Sequence, residues 1–279
     1  MKLYLDSHWQ KRWHAKDPFA EAMALQGKIY RSKEGRRTLR FECDGQGYFL
    51  KLHEGIGWGE IFKNLLQLRM PVLGAANEYH ACLRLKELAV DTMTPVAFGE
   101  KGHNPASQLS FLITEELANT ISLEDVCKRW REHPPSLREK RALIRKIATI
   151  SKTLHDNGVN HRDYYLCHFL RADDAKPFTA NDPLYLIDLH RAQIRKSVPV
   201  RWRVKDIAGL FYSAFDVELT RRDVLCFLAI YRREWLCNPA DRLLLKVSEK
   251  AVALYRKDFQ RNPPDHIARL IAPILQKGK

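Results

Sequence analysis

The sequence predicts an α+β chain of two lobes, β-rich in front and mainly helical behind. Three observations carry that expectation. Up to about Leu117, short runs alternate loosely between apolar and polar residues and are punctuated by turn chemistry. Beyond Leu117 the apolar period becomes helical, most clearly over Arg138 to Asn157. No repeat, Pro-rich or Gly/Ser-rich stretch interrupts the 279 residues, and 45% hydrophobic content suffices for one large core or two coupled lobes.

The opening segment, Met1 to Trp9, is broken by Asp6 and His8, so it does not read as a secretory signal. Lys28 to Glu42 is basic and alternates. Asp44-Gly45 supplies a turn, and Gly47-Tyr48-Phe49-Leu50-Lys51-Leu52-His53 follows as a strand, together a hairpin or short meander. A helix is expected over about 75–89, where Cys82, Leu85 and Leu88 recur at helical spacing. Ser110-Phe111-Leu112-Ile113-Thr114 reads as a strand ending at Glu115-Glu116, with Leu117 next. This gives an N-lobe over 1–117 and a C-lobe over 118–279. In the C-lobe, Leu143, Ile147, Ile150 and Leu154 form one stripe of a helix that Asn157-Gly158 stops. Short strands follow near Val159 and at Tyr185-Leu186-Ile187, and from about Lys205 the chain reads as helices.

A formal net charge of +14 favours a polyanionic partner: nucleic acid, an acidic membrane surface or a phosphorylated substrate. No nucleic-acid motif with interleaved aromatics accompanies it. The six cysteines are scattered without C-x-x-C, which argues against a disulfide framework or structural zinc and fits a reducing cytoplasm. No window approaches the ~18 apolar residues of a spanning helix.

The sharpest signal is His161-Arg162-Asp163-Tyr164-Tyr165-Leu166-Cys167-His168. It follows the pattern H-R-D-x-x-x-x-N of the kinase catalytic loop, in which Asp is the base and Asn a metal ligand. Here His168 stands in the Asn place. Mg²⁺ prefers oxygen ligands, so His168 is either a ligand or a hydrogen-bond partner of Asp163 or a phosphate. Asp188, 25 residues after Asp163 at the end of an apolar strand, takes the place of the metal-binding Asp of D-F-G. Lys51, between Leu50 and Leu52, has the setting of the strand lysine that holds the α/β-phosphates, and Glu78 is its expected partner. Glu115 and Leu117 are expected to offer backbone groups to adenine. Phosphoryl transfer needs positioning and charge neutralisation more than covalent chemistry, and Lys51, Asp188 and Asp163 supply both. The usual Gly-rich phosphate loop is missing. Gly35 stands alone between Tyr30 and Phe41, leaving Ser32, Arg36, Arg37 and backbone amides as candidate covers. Asp206 is expected to anchor the backbone of the catalytic loop, a role compatible with its capping a helix.

These strings resemble the bacterial lipopolysaccharide core heptose(I) kinases, a branch of the protein-kinase-like superfamily. The resemblance rests on Gly35-Arg36-Arg37-Thr38-Leu39-Arg40, Lys63-Asn64-Leu65-Leu66, Pro71-Val72-Leu73-Gly74-Ala75, Glu78-Tyr79-His80-Ala81, Asn160-His161-Arg162-Asp163, Cys167-His168-Phe169-Leu170, Ile187-Asp188-Leu189-His190-Arg191-Ala192-Gln193 and Arg201-Trp202-Arg203. It implies a two-lobed protein-kinase-like fold. It also implies ATP and Mg²⁺ as cofactors, Asp163 as base, and phosphate transfer to the first heptose of the inner core, at O4, on the cytoplasmic face of the inner membrane. Arg191 to Lys205 carries six basic residues and no acid. Arginine suits the carboxylates and phosphates of such an acceptor, so Arg191, Arg195, Arg201 and Arg203 are expected to bind the glycolipid, with Arg36, Arg37 and Arg40 as helpers. Trp58 to Met70 is an apolar stripe suited either to a core or to the membrane surface. At the level of residues two alternatives stay open: a kinase for another sugar or a protein side chain, and a basic pseudokinase that only binds.

Overall fold

The computed structural model describes residues 1–33, 35–55, 57–66, 74–130, 132–174, 176–232 and 242–277. The chain divides into two compact units. One comprises Met1–Glu87, Thr92–Ala118 and Leu189–Arg191; the other comprises Leu88–Asp91, Asn119–Asp188 and Ala192–Lys279.

The first unit is built on β1 (Lys2–Leu5), β2 (Lys28–Lys33), β3 (Arg36–Cys43), β4 (Gln46–His53), β5 (Pro95–Lys101) and β6 (Leu109–Glu115). They form one antiparallel sheet in the order β1-β5-β6-β4-β3-β2. The expected meander is β2–β3–β4, with Asp44 and Gly45 in the β3–β4 turn, both at positive φ. Strand β1 and two short helices, α1 (Ser7–Arg12) and α2 (Pro18–Ala24), went unread in the sequence. Their signals were present. The Asp6 carboxylate caps α1, the Asp17 carboxylate caps α2, and Pro18 opens α2. These helices deliver Trp9, Trp13 and Phe19 to a core with Leu39, Phe41, Leu50 and Leu52 on one face of the sheet.

Helix α3 (Gly57–Leu66) and α4 (Ala76–Glu87) complete this unit. Tyr79 of α4 packs with Ala75, Phe98 and Leu112 in a second core cluster. In β4 successive side chains point to opposite faces, so burying Leu50 and Leu52 in the first core turns Lys51 the other way. In α3, Ile61 is buried while Trp58, Phe62 and Leu66 are exposed. The rest of that stripe, 67–70, and the segment Pro71-Val72-Leu73 lie outside the described residues.

The second unit holds β7 (Thr120–Ser122), α5 (Leu123–Arg129), α6 (Leu137–Asp156), β8 (Val159–Asn160), β9 (Phe169–Ala172), β10 (Tyr185–Leu186), β11 (Gln193–Ile194), α7 (Val200–Ser213), α8 (Arg221–Tyr231), α9 (Arg242–Phe259) and α10 (Asp265–Lys277). Strands β10-β9-β7 form one small sheet and β11-β8 another. Helix α6 begins at Ser136, whose side chain accepts from the Glu139 N–H, and ends at Asn157. Gly158 follows at φ +78, where a Cβ would collide with the Arg195 carbonyl, so only glycine permits the turn into β8. The core of this unit gathers Val204, Ile207, Phe215, Tyr231, Val247 and Tyr255 from α7, the segment after it, α8 and α9.

Helix α7 starts at Val200, five residues before the sequence suggested, because Pro199 presets the backbone for a helix start. Asp206 therefore lies inside the helix, fully buried, and is no cap.

Candidate active site

In the first unit the Lys51 ammonium donates to both oxygens of Glu78, at 2.7 and 2.9 Å. Strand alternation aims Lys51 at α4, and the first turn of α4 presents Glu78. Glu78 is almost fully buried and Lys51 is about a quarter exposed. A buried carboxylate demands such a partner. Beside it, Asn77 donates to the His190 carbonyl at 2.9 Å, tying the Leu189–Arg191 turn to α4.

Two of the expected covers and helpers around Gly35 are engaged within the protein. Arg37 donates to the Met23 carbonyl at 2.7 Å. Arg40 bonds Glu116 at 2.7 Å and Glu42 at 2.9 Å. Gly35, at φ +69, approaches the Gly55 carbonyl so closely that any Cβ would clash. The Glu115 N–H donates to the Thr94 carbonyl at 3.0 Å.

In the second unit the loop from His161 to His168 is fixed from below by α7. One Asp206 oxygen accepts the His161 N–H at 2.7 Å and the other the Arg162 N–H at 2.8 Å. Behind it, His155 of α6 bridges Asp206 at 3.3 Å and the Tyr231 hydroxyl at 2.7 Å. Gly209 lets α7 press against the loop, since a Cβ there would stand 3.0 Å from the Tyr165 ring. Ser213 accepts the Leu166 N–H at 3.0 Å, and the buried Tyr164 hydroxyl meets Ser151 at 2.9 Å. Four residues of the loop are thus anchored through backbone or side chain, which preorganises Asp163 between them.

His161 donates from Nε2 to the Ile187 carbonyl at 2.9 Å, linking the loop to the residue before Asp188. Burial pushes its imidazole down, toward the neutral form. Arg162 and Asp188 flank this link with φ of +76 and +61, a backbone region that non-glycine residues adopt at a cost of ~1–3 kcal/mol where structure over-determines them.

His168 Nδ1 lies 2.7 Å from the Asp163 carbonyl. A carbonyl only accepts, so Nδ1 carries the proton. The other nitrogen, Nε2, lies 3.4 Å from Asp188 Oδ2. In the neutral ring that nitrogen is a lone pair facing a carboxylate, an arrangement a cation between them would satisfy. Two ligand atoms about 2.1 Å from one ion stand about 3.0–3.4 Å apart at octahedral to tetrahedral angles, so this donor pair fits a divalent metal.

Of the expected acceptor arginines, Arg203 is engaged inside its unit. It donates to the His155 carbonyl at 2.9 Å and pairs with Asp156 at 3.3 Å, bracing the end of α6. Arg195 and Arg201 lie 5.9 and 5.1 Å from the Trp202 ring, which also carries Arg162 at 4.8 Å. Arg191 lies in the turn at Leu189–Arg191. Sequence reasoning missed Lys205 as a neighbour of Asp163, which it approaches to 4.0 Å. It also missed His155, for which only its position on the inner stripe of α6 gave a signal.

Comparison with known proteins decides the lineage. A family model described as "Lipopolysaccharide kinase (Kdo/WaaP) family" matches residues 20–231. This chain belongs to that family. Within the Kdo/WaaP kinases it is 53% identical over 262 residues to "Lipopolysaccharide core heptose(I) kinase WaaP" of Pseudomonas aeruginosa, covering 92% of this chain and 97% of that one. It is 47% identical over 253 residues to the Escherichia coli protein of the same name, covering 86% and 94%. A solved structure, "WaaP in complex with acyl carrier protein", matches with TM-score 0.78 at 48% identity, covering 91% of this chain and all of that one. The fold is accordingly the kinase-like α+β fold of the family, and the protein is an ATP-using phosphotransferase.

Proposed function

We propose that the protein transfers the γ-phosphoryl group of ATP to the first heptose of the lipopolysaccharide inner core, at O4, with Asp163 as base. The observation that carries this reading is the His161–Asp163 loop locked onto Asp206, in a chain about half identical to relatives named for that activity. Asp163 accepts the proton of the heptose hydroxyl. The hydroxyl oxygen forms a bond to the γ-phosphorus, and the bond to the β–γ bridging oxygen breaks, its electron pair leaving with ADP. Lys51, held by Glu78, binds the phosphates, and Glu115 and Leu117 meet the adenine through their backbone. Asp188 and His168 hold Mg²⁺. The metal supplies neutralisation of phosphate charge. Arg195 and Arg201, grouped with Arg162 on Trp202, receive the carboxylates and phosphates of the glycolipid, with Arg191 adding charge. Arg203 serves this surface by bracing α6.

The test is to incubate the protein with Mg²⁺-ATP and heptosyl core glycolipid and weigh the product. A gain of one phosphate, absent when the glycolipid lacks heptose, is expected. Phosphate gained by the heptose-free glycolipid or by protein instead would favour another acceptor.

Two partners follow at the same level of inference. The exposed Trp58, Phe62 and Leu66 of α3 suit shallow insertion at the cytoplasmic face of the inner membrane. No helix among the described residues is long and apolar enough to cross a membrane. The solved relative is titled as a complex with acyl carrier protein. We extend that partner to this chain because its helical unit holds an apolar cavity of about 690 Å³, lined by Leu143, Ile147, Phe211, Leu244 and Ile271 among others. An acyl chain has the chemistry to fill it.

A further inference from the structure

The catalytic loop carries no lysine or arginine between Asp163 and Arg171. The residues that follow the base in its loop thus bring no such cation. Helix α7 brings one. Lys205 Nζ lies 4.0 Å from Asp163 Oδ1, with both side chains largely covered. The residue after Lys205 is Asp206, which holds the backbone of His161 and Arg162. Base and lysine are thus registered against each other by one helix–loop joint. Lys205 is also steered from its own helix. Its ammonium stands 5.7 Å from the ring of Trp202, one turn earlier, on the indole that carries Arg162 at 4.8 Å. Residues three apart on a helix are neighbours, and a cation near an indole face is attracted to it.

We propose that Lys205 is a positioning residue for the transfer reaction. Its ammonium, 4.0 Å from one oxygen of Asp163, attracts that carboxylate by charge and so favours the orientation in which Asp163 takes the acceptor proton. A carboxylate that loses this attraction spends less time in that orientation. Misplacement on the scale of 1 Å costs about 100-fold in rate. The role rests on the reading of Asp163 as base. It differs from the acceptor-binding role of Arg195 and Arg201, because it acts on turnover and leaves acceptor affinity alone.

The experiment measures kcat and acceptor KM with Mg²⁺-ATP and heptosyl core glycolipid for wild type, Lys205→Met, Lys205→Arg and Asp163→Asn, with thermal melting of each. Lys205→Met is expected to lower kcat about 100-fold, with KM for the glycolipid within about threefold and an unchanged melting temperature. Lys205→Arg is expected to restore kcat to within about tenfold of wild type, because a cation returns to the same place. Full kcat in Lys205→Met, or a loss confined to KM, would overturn the proposal and leave Lys205 as part of the anionic-ligand surface. Should Lys205→Met melt early, Lys205→Arg decides: a stable Arg variant with kcat as low as Met overturns it. Asp163→Asn separates the two failures. If that variant stays active, the reading of the base is what fails. If it is inactive while Lys205→Met is not, only the role of Lys205 fails.

Discussion

Lys51 owes its position to its neighbours. Leu50 and Leu52 are drawn into the core beneath Trp9 and Trp13, and the pleat of β4 turns the lysine between them toward α4 and Glu78. The pair is expected to serve ATP binding. Lys51→Met should raise KM for ATP at least tenfold, a change of about 1.4 kcal/mol. Glu78→Gln should do so less, measured by steady-state kinetics; unchanged KM in both would remove the pair from the nucleotide site. His168 makes a different prediction. Its Nδ1 is committed to the Asp163 carbonyl and its Nε2 faces Asp188. An N,O donor pair tolerates Mn²⁺ relatively better than an all-oxygen set, which Mg²⁺ prefers. His168→Asn is therefore expected to lower the ratio of Mn²⁺- to Mg²⁺-supported activity several-fold in a metal titration. An unmoved ratio would assign His168 to holding the loop alone.

At the scale of elements, β4 carries a liability as well as Lys51. His53 at its end is buried, and its imidazole is pushed down to about 4 by burial first, then by Arg36, Lys51 and His190. Because the folded value lies below the unfolded one, stability is complete above ~6.5 and falls as the unfolded chain takes up protons between ~6.5 and about 4. Up to about 3 kcal/mol is at stake over that window. Urea midpoints of the wild type should decline across it more steeply than those of His53→Phe; parallel slopes would contradict the assignment. Much at this scale was legible in the sequence. The meander, α4, β6 and α6 lie within a few residues of expectation because their periods were clear and Asp44-Gly45 and Asn157-Gly158 punctuate them. The short α1 and α2 were missed because too few residues fall on one face to show a period, although Asp6 and Asp17-Pro18 marked their starts. The loop strings around Asp163 and Asp188 were readable because their residue types and spacing match what phosphoryl transfer requires. Lys205 beside Asp163 was not, since their closeness depends on how α7 packs, and nothing local encodes 42 residues of separation.

At the scale of the whole molecule, the sequence showed a large positive charge but not where the cations go. Several arginines expected at ligands are bound internally: Arg37 to Met23, Arg40 to Glu116, Arg203 to Asp156. The apolar cavity of the helical unit was equally illegible, because each of its lining residues reads as ordinary core. If an acyl carrier occupies it, adding the acylated carrier should raise the melting temperature by several degrees, while the unacylated carrier does so less. Equal melting with both would argue against acyl insertion. The central claim remains that Asp163 performs base catalysis in transfer to heptose. It is tested most directly by single-turnover transfer of labelled γ-phosphate from ATP to heptosyl core glycolipid by wild type and Asp163→Asn, with ATP and glycolipid binding measured for both. The prediction is a loss of about 10²–10⁴-fold in the transfer rate with both affinities retained. Transfer by Asp163→Asn at the wild-type rate would contradict it.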